Sequence, residues 1–369
     1  MVFLSWRDLA HPEGGGSELF VERIAKHLHE RGWDVTICCA AHPGAPGDEV
    51  RDGVRFRRRG GRLTVYLHGL AFLLRRSGRR ADVVVDVQNG LPFFSPLVRR
   101  RRPVVNLLHH VHREQWQMIY PGAGGRLGWH IESRWAPKLY RRARYVTVSA
   151  ATRDDLGWLG VDASRVELVH NGIDTPHPDR LSPRSVTPRI VVLGRLVPHK
   201  QVEHALEVAA RLRAAMPELV VDVIGDGWWR PTLDRLVRDL DIEDTVTFHG
   251  NITDAERDDL LGRAWVMLAP SVKEGWGIAI MEAAAHGVPA LAYSSAGGVR
   301  ESIVDSETGW LVTDLDELGK RTDELLRDHT LRAAMSRACR EHADGFSWQS
   351  AGARFEQVLD RMLTRGTLR

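Results

Sequence analysis

The chain passes twice through an alternation of short β-branched runs and amphipathic helical stretches, and a proline-rich segment separates the two passes. In the first pass, strand-like residues 2–6, 34–39, 82–86, 104–109, 145–149 and 166–169 are interleaved with helix-like 17–31 and 152–157 and an apolar stretch at 63–74. In the second, strands at 190–194, 220–224, 246–249, 266–269 and 289–293 alternate with helices at 202–216, 229–240, 254–263 and 278–286. Such alternation predicts α/β architecture with parallel, doubly wound sheets. Pro176, Pro178, Pro183 and Pro188 give the intervening segment the composition of a semi-rigid linker, which places a hinge there. A chain of 369 residues exceeds what one core holds. We therefore expect two domains, 1–175 and 176–349, followed by a closing helical segment, 350–369.

Composition narrows the class. No apolar run approaches the roughly 18 residues needed to span a bilayer, and the N-terminus has no signal-peptide pattern, so a cytoplasmic protein is expected. Cys38, Cys39 and Cys339 include no C-x-x-C, which argues against a disulfide framework and a structural zinc. Charge is uneven: residues 1–180 hold 28 Lys and Arg against 19 Asp and Glu, whereas residues 181–369 hold 23 against 29. The arginine runs at 57–59, 75–76, 79–80 and 99–102 suit either plain solvated surface or contact with an anionic membrane face or phosphorylated acceptor. Leu63 to Arg80 reads either as a core helix with arginines at its negative end or as a lipid-touching one. Nucleic acid is excluded as a partner, because no helix-turn-helix, RRM-like or aromatic-interleaved basic motif is present.

The chemistry-bearing segment runs from Ser271 to Glu282 and sets Glu274 and Glu282 eight residues apart around Gly275, Trp276 and Gly277. The glycines permit a tight turn, and a helix starts at Ile278, so bare amides and the positive helix end face a ligand. An anionic or hydroxyl-rich ligand suits that position, with both carboxylates accepting from its hydroxyls. A capping acidic first turn is the plainer alternative.

Three further segments lie at predicted strand ends. Gly194 to Lys200 follows a strand with Arg195 and Lys200 five residues apart, a fork and a point charge suited to a diphosphate leaving group. His11 to Glu18 is a glycine loop before a helix in which Gly15 and Gly16 let a phosphate approach the backbone. A dinucleotide site is excluded there, since G-x-G-x-x-G fails at Leu19 and the second strand ends in Cys38-Cys39-Ala40 without a ribose-binding acid. His109, His110 and His112 close another strand; extended backbone turns His110 and His112 one way and His109 the other, and the residues around them do not form a metal set.

The Glu274 to Glu282 spacing resembles the E-x7-E signature of the retaining GT-B glycosyltransferases of family 4, E-G-F-G-x-x-x-x-E, with Trp276 in place of Phe. Gly194 to Lys200 is similar to that family's G-R-x-x-x-x-K, and Gly15 to Glu18 to its glycine loop. The segments 148–152, 171–174 and 297–301 resemble others in it, and all follow in the family's order. The resemblance implies a GT-B fold of two Rossmann-like domains, acceptor-side then donor-binding, with the closing helix packed back on the first. It implies transfer of a hexose from a nucleoside diphosphate sugar such as UDP- or GDP-hexose to a hydroxyl acceptor, with retention and without a metal or cofactor. The acceptor is left open among glycolipid, polysaccharide precursor and natural product. Glu274 and His109 would then meet the sugar, with His110 and His112 as alternatives for the histidine. Arg195 and Lys200 would clamp the pyrophosphate with Gly15 and Gly16, and Gly275, Trp276, Gly277 and Ile278 would line the donor. Glu282 would hold the ribose, and Asn251 and Ile252 would meet the base. A sugar-nucleotide epimerase and a noncatalytic sugar-nucleotide binder are the alternative functions.

Overall fold

The computed structural model describes residues 1–99, 102–176 and 182–366, so Arg100 and Arg101 of one arginine run, Pro178 of the linker and the last three residues of the closing segment lie outside the described residues. The chain divides into two compact units, one of residues 1–172 with 348–369, the other of residues 173–347.

The first unit is built on an eight-stranded sheet: β1 Val2–Leu4, β2 Thr36–Cys39, β3 Asp48–Arg51, β4 Val54–Arg58, β5 Val84–Val87, β6 Val104–Leu108, β7 Arg144–Thr147 and β8 Val166–Leu168. Its order is β3-β4-β2-β1-β5-β6-β7-β8, with every pairing parallel except β3 with β4. The antiparallel β3–β4 hairpin was not expected, and it changes the meaning of one arginine run. The Arg58 side chain is fully buried, 2.6 Å from Asp8 and 2.7 Å from Glu49. Arg57 and Arg59 pair with Asp48 at the hairpin surface. This run holds the sheet edge and is not a bare solvated patch. The apolar stretch forms the helix Thr64–Leu74, which buries Val65, Gly69, Phe72 and Leu73. The closing helix, Trp348–Gly366, belongs to the first unit, where Phe355 meets Phe3 and Phe20.

The second unit carries β9 Arg189–Leu193, β10 Val220–Ile224, β11 Val246–Gly250, β12 Val266–Ala269, β13 Ala290–Tyr293 and β14 Gly309–Val312, all parallel, in the order β11-β10-β9-β12-β13-β14. Alternate residues feed opposite faces, as the strand period requires. Val266, Leu268, Leu291 and Tyr293 join one apolar layer, whereas Met267, Ala269, Ala290 and Ala292 join the other. Both faces are therefore covered, the condition under which a parallel sheet is stable. What is described of the linker is pinned to this unit: the Arg184 guanidinium donates to the carbonyls of Leu261, Gly262, Ala264, His286 and Gly287. Those carbonyls end the helices Asp254–Arg263 and Ile278–Ala285, where a cation also meets the negative helix end.

The three cysteines are free and buried, and burial pushes the Cys38 thiol up to about 12. No helix among the described residues is long and apolar enough to cross a membrane.

Candidate active site

In the second unit β9, β10 and β11 run outward on one side and β12, β13 and β14 on the other. The loops that follow β9 and β12 thus part from each other, and open parallel sheets take ligands at that switch point, outside the carboxyl ends of the strands. The first loop is the Gly194 to Lys200 segment, and the second runs from Ser271 to Gly277. They are joined twice. The Val272 amide donates to the His199 carbonyl at 2.9 Å, and Lys200 Nζ lies 2.5 Å from Glu274 Oε1.

Glu274 is fixed on several sides. Ser271 Oγ donates to Oε1 at 2.7 Å, the Glu274 amide donates to the Ala296 carbonyl at 2.8 Å, and the Gly298 amide donates to the Glu274 carbonyl at 3.1 Å. A side chain on Gly298 would bring a Cβ within 2.1 Å of the Gly275 oxygen, so only glycine lets the 296–298 backbone close over the turn. Burial by itself would raise the Glu274 pKa. The Lys200 charge, the bonds from Lys200 and Ser271 and the nearby His199 outweigh it and hold the carboxyl below its usual range.

Gly277, at φ +100°, ends the turn in the left-handed region and precedes the helix Ile278–Ala285. The first helical amides have no partner inside the helix, so they and the helix dipole make an anion-binding end a few residues from Lys200's partner. The Trp276 ring is turned inward, 1 % exposed and edge-on to Phe346, which leaves its backbone to line the turn. One turn and more into the helix, the Glu282 carboxylate lies 3.6 Å from Arg257, itself held by Asp254 and Asp258. Burial pushes Glu282 up to about 7; Arg257 opposes the rise, and Asp174, Asp254 and Asp258 add to it. Hydroxyl donors from a ligand would favour the ionised form. Asn251 is exposed in the turn after β11, and Ile252 packs half-buried on the core. Arg195 is half-buried in the loop after β9.

The first unit gathers the remaining site candidates at the carboxyl ends of β1 and β6. Gly15 precedes the helix Gly16–Glu30, and its amide donates to Glu18 Oε2 at 2.9 Å. The buried Glu18 also meets Arg7 at 3.2 Å and accepts from Asn89 at 3.2 Å. His109 is 6 % exposed, packs edge-on to Phe20, and its Nε2 has no hydrogen-bond partner among the described residues. Burial pushes its pKa down to about 4, with Glu18 opposing and His112 assisting, so the ring is neutral near pH 7. The His110 and His112 ring centroids are 4.1 Å apart with the planes tilted by 35°, and His112 Nδ1 is 3.1 Å from Glu132.

The structure thus brings Lys200 and Glu274 into contact, with the Gly277 helix end beside them, and places Gly15 and His109 with Glu18 in the first unit. Sequence reasoning missed Ser271, Arg257, Arg7 and Asn89. Ser271 stands inside the motif, three residues before Glu274, whereas the other three carry no local signal. Among the described residues no group of three or more His, Cys, Asp or Glu side chains is placed to hold a metal ion.

Two doubly wound units, with a Lys–Glu pair beside a glycine-started helix at the switch point of the second, are the arrangement that the resemblance to GT-B glycosyltransferases implies. The family model described as Glycosyltransferase Family 4 matches residues 14–177, and that described as Glycosyl transferases group 1 matches residues 177–342. The chain belongs to this family, the GT-B glycosyltransferases of family 4 type. It is 34 % identical over 417 aligned positions to the MMP alpha-(1->4)-mannosyltransferase of Mycolicibacterium hassiacum, covering 99 % of this chain and 98 % of that one. It is 30 % identical to the GDP-mannose-dependent alpha-(1-6)-phosphatidylinositol monomannoside mannosyltransferase of Mycolicibacterium smegmatis, covering 94 % and 95 %. Among solved structures, sucrose-phosphate synthase from Thermosynechococcus elongatus superposes with a TM-score of 0.84 at 18 % identity, covering 99 % of each chain. Anabaena Alr3699/HepE in complex with UDP and glucose gives 0.77 at 18 %, covering 97 % and 98 %. The relatives are transferases, which does not favour the epimerase or binding-only alternatives.

Proposed function

We propose that the chain transfers a hexose, mannose from GDP-mannose in the first instance, to a hydroxyl acceptor with retention at the anomeric carbon. The observation that carries this reading is the Lys200–Glu274 pair, 2.5 Å apart beside the Gly277 helix end at the β9/β12 switch point. Lys200, Arg195 and the helix amides hold the diphosphate and stabilise the charge that builds on it as the glycosidic bond breaks. Glu274 accepts from the sugar hydroxyls, Glu282 from the ribose, and the backbone at Asn251 and Ile252 meets the base. In the first unit, the acceptor side, the Gly15 and Gly16 backbone is suited to a phosphate and neutral His109 to a sugar hydroxyl. The acceptor oxygen attacks the anomeric carbon on the face the diphosphate leaves. Its proton passes to the departing phosphate oxygen, so the protein supplies no general base and neither a metal nor a cofactor takes part. Mannose and guanine are chosen because two relatives of nearly equal length are mannosyltransferases and one is named as GDP-mannose-dependent.

The reading includes contact with the anionic inner face of a membrane through the first unit. Leu63, Leu67 and Leu74 of the 64–74 helix region are 75, 68 and 58 % exposed, and Arg75, Arg76, Arg79 and Arg80 follow them in exposed positions. Exposed leucines beside arginines suit the boundary between headgroups and acyl chains. Sedimentation with phosphatidylglycerol vesicles should carry the protein down, and a Leu63→Gln/Leu67→Gln variant should stay in solution.

The activity test is incubation with GDP-mannose or UDP-glucose, mannoside acceptors and a chelator, followed by nuclear magnetic resonance of the product. An α-linked mannoside formed in the presence of chelator is expected. A β-linked product, dependence on a divalent cation, or free sugar alone would contradict the corresponding part of the proposal.

A further inference from the structure

Beyond the donor site, the segment after His112 builds a second site of uniform charge. A groove of about 480 Å³ is lined by Arg113, Gln117, Arg126, Trp129, His130, Ser133 and Arg134. The three arginines come from three consecutive pieces of helix, Arg113–Ile119, Ala123–His130 and Ile131–Trp135. None of the three is paired with a carboxylate among the described residues, and no acidic residue lines the groove. Of the two acids in this segment, Glu114 is exposed outside the groove lining, and Glu132 is turned away: its side chain is 1 % exposed, and its oxygens accept from the His112 amide at 3.2 Å and from Trp116 Nε1 at 2.6 Å, with His112 Nδ1 at 3.1 Å. One carboxylate is thus withdrawn into the protein while three guanidiniums are left on one hollow.

The hollow is held in shape by close packing of its helices. A Cβ on Gly128 would fall 2.4 Å from the Trp116 ring, and one on Gly125 would fall 2.3 Å from the Tyr120 carbonyl oxygen. Only glycine allows that approach, so the backbone carrying Arg113 and Arg126 is set by Trp116. Arginine forks are suited to bidentate contact with phosphate oxygens.

We propose that this groove binds a phosphate group carried by the acceptor. The proposal rests on the transferase reading above and gives its acceptor a chemical class: a phosphorylated or phosphodiester-bearing alcohol, either free in solution or as a lipid headgroup. The groove lies on the same chain segment as His109, four residues before Arg113, and both belong to the first unit.

The test uses the full chain with saturating GDP present, so that the diphosphate site is filled. Titration with glycerol phosphate and with inorganic phosphate is followed by calorimetry, and vesicles of phosphatidylinositol are compared with phosphatidylcholine. Binding that weakens with added salt is expected for a phosphate probe, and Arg126→Gln/Arg134→Gln should lose at least tenfold while GDP affinity and the thermal midpoint stay unchanged. Binding of the soluble probes marks a free phosphorylated acceptor; binding of phosphatidylinositol vesicles alone, lost in the same variant, marks a lipid headgroup. Undiminished binding by the variant, or no binding of any phosphate probe, would overturn the proposal. Failure of the chain to bind GDP would instead sink the donor assignment, and the arginine variants would still decide the groove.

Discussion

Replacing Lys200 by methionine tests the ion pair at the switch point without a change of size. The Lys200 and Glu274 side chains are 23 and 16 % exposed and their charged atoms are 2.5 Å apart. An exposed pair is worth about 0–1 kcal/mol, and breaking a buried one costs about 3–5 kcal/mol, so a pair at this depth should cost about 2 kcal/mol at neutral pH. The pH dependence identifies the cause. In the wild type burial would raise the Glu274 pKa, but Lys200 and Ser271 hold it below its ordinary value, so the group contributes stability above the unfolded pKa and loses it as pH falls through the folded one. Without Lys200 burial prevails, the folded pKa moves above the unfolded one, and the carboxylate becomes a penalty that grows as pH rises. The deficit of Lys200→Met should therefore be small near pH 4 and largest above pH 7, where about 2 kcal/mol corresponds to roughly 4–8 °C in the transition of a unit this size. Adding Glu274→Gln should recover most of it. Thermal unfolding of the four proteins of the cycle from pH 4 to 8 is the assay. A deficit that does not change with pH, or substitutions whose effects add, would refute the coupling.

Glu282, pushed up to about 7 by burial, behaves in the opposite sense: its contribution to stability falls as pH rises from the unfolded carboxylate range toward 7. Glu282→Gln should stabilise the second unit by about 1–2 kcal/mol at pH 8 with little effect at pH 4, and should weaken GDP binding; calorimetric unfolding at both values and a GDP titration check this. Gly277→Ala places a side chain at φ +100° and a Cβ 2.8 Å from Ser302 Oγ, so it should cost about 1–3 kcal/mol and lower GDP affinity, measured by denaturant unfolding and titration. Wild-type stability in this variant would mean that the turn relaxes easily.

The double alternation was legible because strand and helix periods leave separate marks in apolar residues, as at β9, where Ile190 and Val192 face one layer and Val191 the other. The β3–β4 hairpin was not legible, because Arg55, Arg57 and Arg58 hide the buried positions Val54 and Phe56, and Arg58 is inside only through partners as distant in sequence as Asp8. The helices at 113–119 and 123–130 were also missed. Gly125 and Gly128 carry no helix signal of their own and are there to admit Trp116 and the backbone beside it.

At the site, the sequence pointed to Glu274 and Lys200 one at a time. Their contact joins positions 74 residues apart and could come only from the order of the sheet. The strand expected to run to His109 ends at Leu108, so the three histidines lie beyond it and strand alternation does not govern them. Trp276 shows the reverse case: the motif draws attention to its ring, and packing against Phe346 turns that ring away from the turn's surface.

A crystal structure with GDP bound tests the central claim most directly. The diphosphate should lie at the β9/β12 switch point of the second unit, contacting Arg195, Lys200 and the amides that follow Gly277, with ribose hydroxyls on Glu282. GDP bound elsewhere in the chain, with Lys200 and Glu274 untouched, would contradict it.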